Sequence, residues 1–317
     1  MEYISKNLDY RQSAPSVITL GKFDGLHRGH ELLIEKQKEL CSLHNYKSVV
    51  FTFDIPPKPG MDSSMTKVIT TNEEKRIVFE KNGIDILFEC PFIKEIMCME
   101  PEDFIKWIVD KFNVKYVVVG TDFGFGHNRS GNYHTLQENA DKYNYEVKVI
   151  DKKQYNGRDI SSTYIREEIE QGNIELVNKL LGYEYFIKSK VVHGKQLGRT
   201  IGIPTINMNI PNEKVLPPKG VYITKVEVAD KWYMGVSNIG NKPTVGDNNP
   251  LGLETYLIDF CQDIYGKAVT VQFLKYLRPE MKFKSIDELK EQMNKDIVKT
   301  YKYYRNITHN IDILNLC

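Results

Sequence analysis

The sequence predicts two domains: an α/β half built on a Rossmann-like parallel sheet, then a small antiparallel β-barrel with a terminal helix. Three observations carry this. The chain has 317 residues, more than most single domains. Its first half alternates short apolar runs with amphipathic stretches. After about Gly182 the texture changes to closely spaced β-rich runs divided by turn clusters.

In the first half, residues 17–20, 48–53, 84–88, 116–119 and 145–150 read as buried strands. Leu33, Ile34, Leu40 and Cys41 recur at helical spacing between two of them. Thr71 and Glu74 form a capping box, in which hydroxyl and carboxylate satisfy free amides at a helix start. Strand–helix alternation implies right-handed crossovers, helices on both faces of a parallel sheet, and ligands at the strands' carboxyl ends.

In the second half the β-rich runs are 185–192, 221–228, 232–237, 253–258 and 269–274. Pro217-Pro218-Lys219-Gly220, Gly246-Asp247-Asn248-Asn249-Pro250 and Tyr265-Gly266-Lys267 punctuate them, the pattern of a small barrel. A final helix begins at a Ser285/Glu288 capping box, with Ile286, Leu289, Met293 and Ile297 as its expected buried stripe. The expected domains are residues 1–182 and 183–317.

Hydrophobic residues make up 41% and charged residues 27%, the balance of a soluble globular protein. Lys+Arg (43) nearly cancels Asp+Glu (42), so bulk charge makes no case for nucleic acid or an anionic membrane as partner. Cys41, Cys90, Cys98, Cys261 and Cys317 are odd in number, scattered and never spaced Cys-x-x-Cys, which predicts reduced thiols. No signal peptide or membrane-spanning run is legible, and a cytoplasmic setting is expected.

Gly21-Lys22-Phe23-Asp24-Gly25-Leu26-His27-Arg28-Gly29-His30 follows a strand and opens a helix. Glycines admit phosphate close to the backbone, and a helix amino end offers unpaired amides and partial positive charge. His27 and His30, one turn apart, can reach the same phosphate; alone, they read equally as surface histidines after a loop. Gly120-Thr121-Asp122-Phe123-Gly124-Phe125-Gly126 follows another strand, as a ligand loop or a plain one. Ile160-Ser161-Ser162-Thr163-Tyr164-Ile165-Arg166 enters a helix whose start suits phosphates, although simple capping by Ser161 or Ser162 explains it too.

In the second half, Gly194, Gly198 and Gly202 space a loop able to arch over phosphates, without the Walker ending. Thr205 and Asn207 alternate, so an extended segment points both to one face, where hydroxyl and amide oxygens suit Mg²⁺. A capped turn around Pro204 fits the spacing as well. Glu254 opens a predicted strand; it can serve as a general base or be an ordinary exposed glutamate.

The Gly-x-Phe-Asp-Gly-x-His-x-Gly-His run with Ser-Ser-Thr-x-Ile-Arg resembles the His-x-Gly-His nucleotidyltransferases, in the version of FMN adenylyltransferase modules. Class I aminoacyl-tRNA synthetases share the histidines but carry a lysine-rich second motif that this chain lacks. Gly198-Arg199-Thr200-Ile201-Gly202-Ile203-Pro204-Thr205-Ile206-Asn207, Gly220-Val221-Tyr222, Gly235 to Gly240, Lys242-Pro243-Thr244, Glu254 and Arg278-Pro279-Glu280-Met281-Lys282-Phe283 resemble riboflavin kinase. Both modules in this order are the arrangement of bacterial FAD synthetases.

The resemblance implies ATP-dependent phosphorylation of riboflavin to FMN, then adenylylation of FMN to FAD, with Mg²⁺ in both steps. It implies catalytic His27, His30 and Glu254. Gly21, Phe23, Asp24, Gly25, Gly29, Ser161, Ser162, Thr163 and Arg166 would surround one nucleotide, and Gly194, Gly198 and Gly202 another. Asp122 and Arg278 would face flavin, and Thr205 and Asn207 the metal. Loss of one activity, or a non-catalytic flavin- or nucleotide-binding regulator, are the alternatives; a regulator needs neither His27, His30 and Arg166 nor the base Glu254. Two departures stand out: Phe53-Asp54-Ile55-Pro56-Pro57-Lys58-Pro59 replaces a Pro-His-Pro segment, and Ile206 replaces a small residue.

Overall fold

A computed structural model describes residues 1–54, 67–194, 198, 202–241 and 251–314, with side chains to 306. The proline-rich departure beyond Asp54, the arch residues 195–197 and 199–201, the Lys242-Pro243-Thr244 motif and the 246–250 turn lie outside the described residues. Contacts divide the chain into two compact units, Met1–Ile165 and Arg166–Cys317. The division falls upstream of Gly182, within the helix that begins at Ser162.

The first unit holds a parallel sheet of β1 (Glu2–Ser5), β2 (Ser16–Leu20), β3 (Lys47–Asp54), β4 (Ile86–Pro91), β5 (Val114–Gly120) and β6 (Glu146–Ile150). Their order is β1-β4-β3-β2-β5-β6. All five expected strands are present. The sixth, β1, pairs in parallel with β4, Glu2 opposite Ile86, and lies at the edge with no fully buried residue. Half-exposed edge strands carry little apolar pattern, so nothing in the sequence marks it.

β2 is fully buried, as a central strand covered on both faces must be. From it the chain runs outward through β3 to β4, then returns to place β5 on its other side. Beyond the carboxyl ends of β2 and β5, where the strand order reverses, is the place where such sheets take ligands. Helix α1 (Arg28–His44) follows β2, and α2 (Asn72–Lys81) starts at the expected box. Thr71 Oγ1 accepts from Glu74 N at 3.3 Å, and the Glu74 carboxylate accepts from Thr71 N at 2.9 Å. Helix α3 (Pro101–Phe112) buries Phe104, Ile105, Ile108 and Phe112 against the sheet.

The second unit contains the end of α4 (Ser162–Gln171), α5 (Ile174–Leu181) and a closed antiparallel barrel. Its strands are β7 (Phe186–Val192), β8 (Thr205–Asn209), β9 (Gly220–Val228), β10 (Lys231–Asn241), β11 (Leu251–Leu257) and β12 (Ala268–Arg278), ordered β7-β8-β11-β10-β9-β12. Helix α5 is tied to the barrel: Asn178 donates to Phe273 O and accepts from Tyr185 N, both at 2.8 Å.

Helix α6 (Ile286–Leu314) follows. Ser285 Oγ accepts from Glu288 N at 3.2 Å, but the Glu288 carboxylate takes the amide of Lys284 at 2.8 Å, one residue upstream of a true capping box. The expected buried stripe is also corrected. Ile286 is 54% exposed, and the deepest positions are the polar Asp296 and Thr300. Leu289 and Met293 are half-buried because they face a cavity rather than packed core.

Candidate functional site

In the first unit the glycine turn after β2 is a compact left-handed knot. Phe23, Gly25 and Leu26 all have positive φ, and a β-carbon on Gly25 would lie 3.0 Å from the Ile69 side chain. The Asp24 carboxylate accepts from the amides of Ile69 (2.8 Å) and Thr70 (3.1 Å), while Gly25 N donates to Thr70 Oγ1. Asp24 therefore fastens this turn to the segment preceding α2. Phe23 is buried and meets His30 and Phe79 edge-on, with centroids 5.1 and 5.5 Å away.

His27 caps α1, its Nδ1 accepting from Gly29 N at 3.2 Å. That bond assigns the ring proton to Nε2, leaving Nε2–H as a donor. His27 and His30 stack with centroids 3.8 Å apart and planes 20° apart. His30 Nδ1 is enclosed and has no protein partner. A β-carbon on Gly29 would lie 3.1 Å from the His27 ring and 3.3 Å from Ile160 O, so glycine is needed where α1 meets the loop before α4. Of the serines there, Ser161 Oγ accepts from Tyr164 N (3.2 Å) as a cap, and Ser162 Oγ donates to Asp24 O (2.8 Å). Thr163 is exposed, and Arg166 lies one turn along the helix from Ser162.

Burial lowers the His27 pKa to about 4, against a smaller opposing pull from Asp122, and pushes His30 well below its usual value. Both rings are neutral donors at pH 7. An unfolded His27 takes up its proton near pH 6.5, the folded one only near pH 4. Its contribution to stability is thus present above pH 6.5 and lost as pH falls towards 4. We expect the urea midpoint of this unit to fall over that interval, read by Trp107 fluorescence in a Trp232→Phe background. His27→Asn keeps a capping acceptor and should flatten the decline; an unchanged slope would contradict this.

Asp122 stands in the loop after β5, at the β2/β5 reversal, and its charge is felt at His27. It is largely exposed and pairs with Lys152 at 3.2 Å.

In the second unit, β8 carries Thr205 and Asn207, and its register sets Asn207 directly opposite Glu254 on β11. Glu254 is in turn opposite Asn238 on β10. Asn207 is buried and Glu254 exposed. The arch glycines press on these residues. A β-carbon on Gly194 would lie 2.3 Å from Asn207 Nδ2, and one on Gly198 2.3 Å from Ile203 O and 3.4 Å from Thr205 N. Gly202 has φ +77°, which favours glycine.

Two cavities meet at Thr205. One, of about 400 Å³, is lined by Val191, Pro204, Ile206, Leu257, Phe260 and Tyr265. The other, of about 190 Å³, is lined by Glu254, Arg278, Ser237, Met281, Phe283 and Met293. Arg278 borders it, but the guanidinium is turned to α6: Nε and Nη2 donate to the Asp296 carboxylate at 3.0 and 2.7 Å, and Nη1 donates to Pro279 O.

The family described as FAD synthetase matches residues 9–164, and the riboflavin kinase family matches residues 181–304. The bifunctional riboflavin kinase/FMN adenylyltransferase of Bacillus subtilis is 37% identical over 300 residues, spanning 93% of this chain and 95% of its own. That of Escherichia coli K12 is 33% identical over 302 residues, spanning 94% and 96%. The chain belongs to this bifunctional riboflavin kinase/FMN adenylyltransferase family. It is an enzyme that phosphorylates riboflavin to FMN and adenylylates FMN to FAD. A Streptococcus pneumoniae structure titled as a macrolide-efflux protein superposes with a TM-score of 0.85 at 30% identity, covering 95% of this chain and 99% of its own. No helix among the described residues of this chain is long and apolar enough to cross a membrane.

Two residues escape sequence reading. Asp296 fixes Arg278, and its only signal is a carboxylate at helical spacing from Met293. Lys75 is a buried lysine on α2, indistinguishable in sequence from the exposed lysines around it.

Proposed function

We propose that Glu254, Asn207 and Thr205 form the riboflavin kinase centre, with ATP in the larger cavity and riboflavin in the smaller. The observation that carries this is the meeting of both cavities at Thr205, with Glu254 lining the smaller and directly opposite Asn207. Glu254 accepts the riboflavin 5′-hydroxyl proton as that oxygen bonds to the γ-phosphorus. The bond from that phosphorus to the bridging oxygen breaks, and ADP leaves. Glycine at 194 and 198 leaves no side chain to strike Asn207 or Ile203 beside the ATP phosphates, and Gly202 is assigned to the same nucleotide. Arg278, held by Asp296, forms part of the flavin-side wall.

For adenylyl transfer, an FMN phosphate oxygen bonds to the α-phosphorus of ATP, and pyrophosphate leaves. His27 Nε2–H and the His30 ring are placed to donate to the α-phosphate oxygens, where charge builds. The amides of the glycine turn and the starts of α1 and α4 surround the remaining phosphates, with Thr163 and Arg166 assigned there and Asp122 to the flavin side. Phe23 and Asp24 act here by holding His30 and the turn.

Magnesium fits the donor set. Thr205 and Asn207 offer hard neutral oxygens, and no cluster of three or more His, Cys, Asp or Glu among the described residues offers a cage of its own. The ion would supply charge neutralisation on ATP oxygens in each transfer. Excess chelator should therefore abolish FMN and FAD formation, and undiminished FMN formation in it would contradict the assignment. Asn207→Ala should weaken the kinase far more than the adenylyltransferase. A cytoplasmic setting accords with the four described cysteines being free thiols.

We also assign the kinase to residues 183–317 and the adenylyltransferase to residues 1–182. Residues 183–317 expressed alone should convert riboflavin to FMN. A 166–317 fragment retains the Asn178 bonds to Phe273 and Tyr185 and should melt higher. Inactivity of both fragments beside an active full chain would refute independent domains.

A further inference from the structure

The glycine turn sits against a buried cation that none of the chemistry above uses. Lys75 lies in the first turn of α2 and is 4% exposed. Among the described residues its ammonium makes one side-chain bond, a long one of 3.4 Å to Thr52 Oγ1. An ammonium carries three donors, and burying it with most of them unused is unfavourable.

Its position is fixed from two sides. Thr52, at the carboxyl end of β3, donates to Lys22 O in the glycine turn at 3.2 Å. Phe79, one turn along α2 from Lys75, packs on Phe23, which packs on His30. Lys75 thus lies beneath the turn and beside His30, at the end of the sheet that takes ligands, and its charge is felt at His30.

A structural counter-ion role would account for a buried lysine, and Glu89, Asp24 and Asp54 do act on its charge, but none of them forms an ion pair with it. Asp24 accepts from the amides of Ile69 and Thr70. Asp54 accepts from Asn72 Nδ2 at 2.7 Å. Glu89 Oε2 accepts from the Tyr3 hydroxyl at 2.5 Å and pairs with Arg76 at 3.3 Å, while its Oε1 is buried without a hydrogen-bond partner. Arg76 already serves as the partner of Glu89, and no carboxylate among the described residues pairs with Lys75. Beside it, His30 Nδ1 is enclosed and unpartnered too. A buried ammonium with open donors, beside a buried ring nitrogen that has no partner, points to an anionic ligand at this face.

We propose that Lys75 is a phosphate-binding residue of the adenylyl-transfer centre, donating to phosphate oxygens next to His30. This rests on the glycine–histidine turn being that centre. ATP and FMN both bring phosphate oxygens there. As Pα changes bonds from the leaving pyrophosphate to the FMN oxygen, a buried ammonium steadies the negative charge shared among them.

The test compares Lys75→Met, uncharged and similar in length, with Lys75→Arg, which restores charge. FAD formation from FMN and ATP should fall about 100-fold or more in Lys75→Met, as for loss of one transition-state donor, and partly recover in Lys75→Arg. FMN formation from riboflavin, in the same molecule, should stay unchanged. Titration with a non-hydrolysable ATP analogue and with FMN then assigns the oxygen, the weakened ligand being the one Lys75 holds. If Lys75→Met loses the Trp107 emission of the folded unit, Lys75→Gln is read in its place. FAD formation at the parent rate in the folded variant overturns the proposal. His30→Ala in parallel separates the two claims: if it alone keeps its FAD formation, the histidine assignment fails and that of Lys75 stands.

Discussion

Glu254→Gln should lower FMN formation from riboflavin by about 100- to 10,000-fold, the range for loss of a general base. FAD formation from supplied FMN should continue in the same protein. Glutamine preserves the shape and the strand pairing of residue 254 between Asn207 and Asn238, so the loss reads as chemistry. Glu254 is exposed at the cavity wall. Product identity by chromatography from each substrate checks the prediction. Riboflavin phosphorylation at the parent rate would remove Glu254 from the mechanism.

His30→Ala should lower FAD formation by roughly 100-fold or more, as removal of one preorganised donor does. FMN should then accumulate from riboflavin and ATP. The variant also removes a ring that stacks on His27 and packs on Phe23, so some loss of stability in the first unit is expected. His30→Phe, which keeps a ring against His27 and Phe23 but carries no donor, separates the two effects: retained stability without retained rate places the loss in the transfer step. FAD formation at the parent rate in His30→Ala would refute the assignment.

The fold was largely legible because its signals are local. Buried parallel strands such as β2 appear as continuous apolar runs, and the Thr71/Glu74 box is a short-range hydrogen-bond pattern. β1 was not legible, because an edge strand of four residues owes its place to β4, far along the chain. The terminal helix misled for a related reason. Periodicity shows which residues share a face but not whether that face meets core or cavity, so Leu289 and Met293 line a cavity while Asp296 carries the deep contact.

Residues brought together within one short motif were legible as neighbours: His27 with His30, and Thr205 with Asn207. Partners supplied by another element were not. Nothing near Asp24 says that its carboxylate will hold Ile69 and Thr70, and nothing near Lys75 says that its helix will pass under the glycine turn. Ser161 shows the limit of motif reading from the other side, since its hydroxyl caps α4.

The central claim is that one chain carries two chemically separate centres, FMN being the product of one and a substrate of the other. It is tested most directly by mixing the His30→Ala and Glu254→Gln proteins with riboflavin, ATP and Mg²⁺ and identifying the products by chromatography. Each variant alone should fail to make FAD, the first stopping at FMN and the second leaving riboflavin. The mixture should make FAD, because FMN released by the first is adenylylated by the second. FAD from either variant alone at the parent rate, or no FAD from the mixture, would contradict the account.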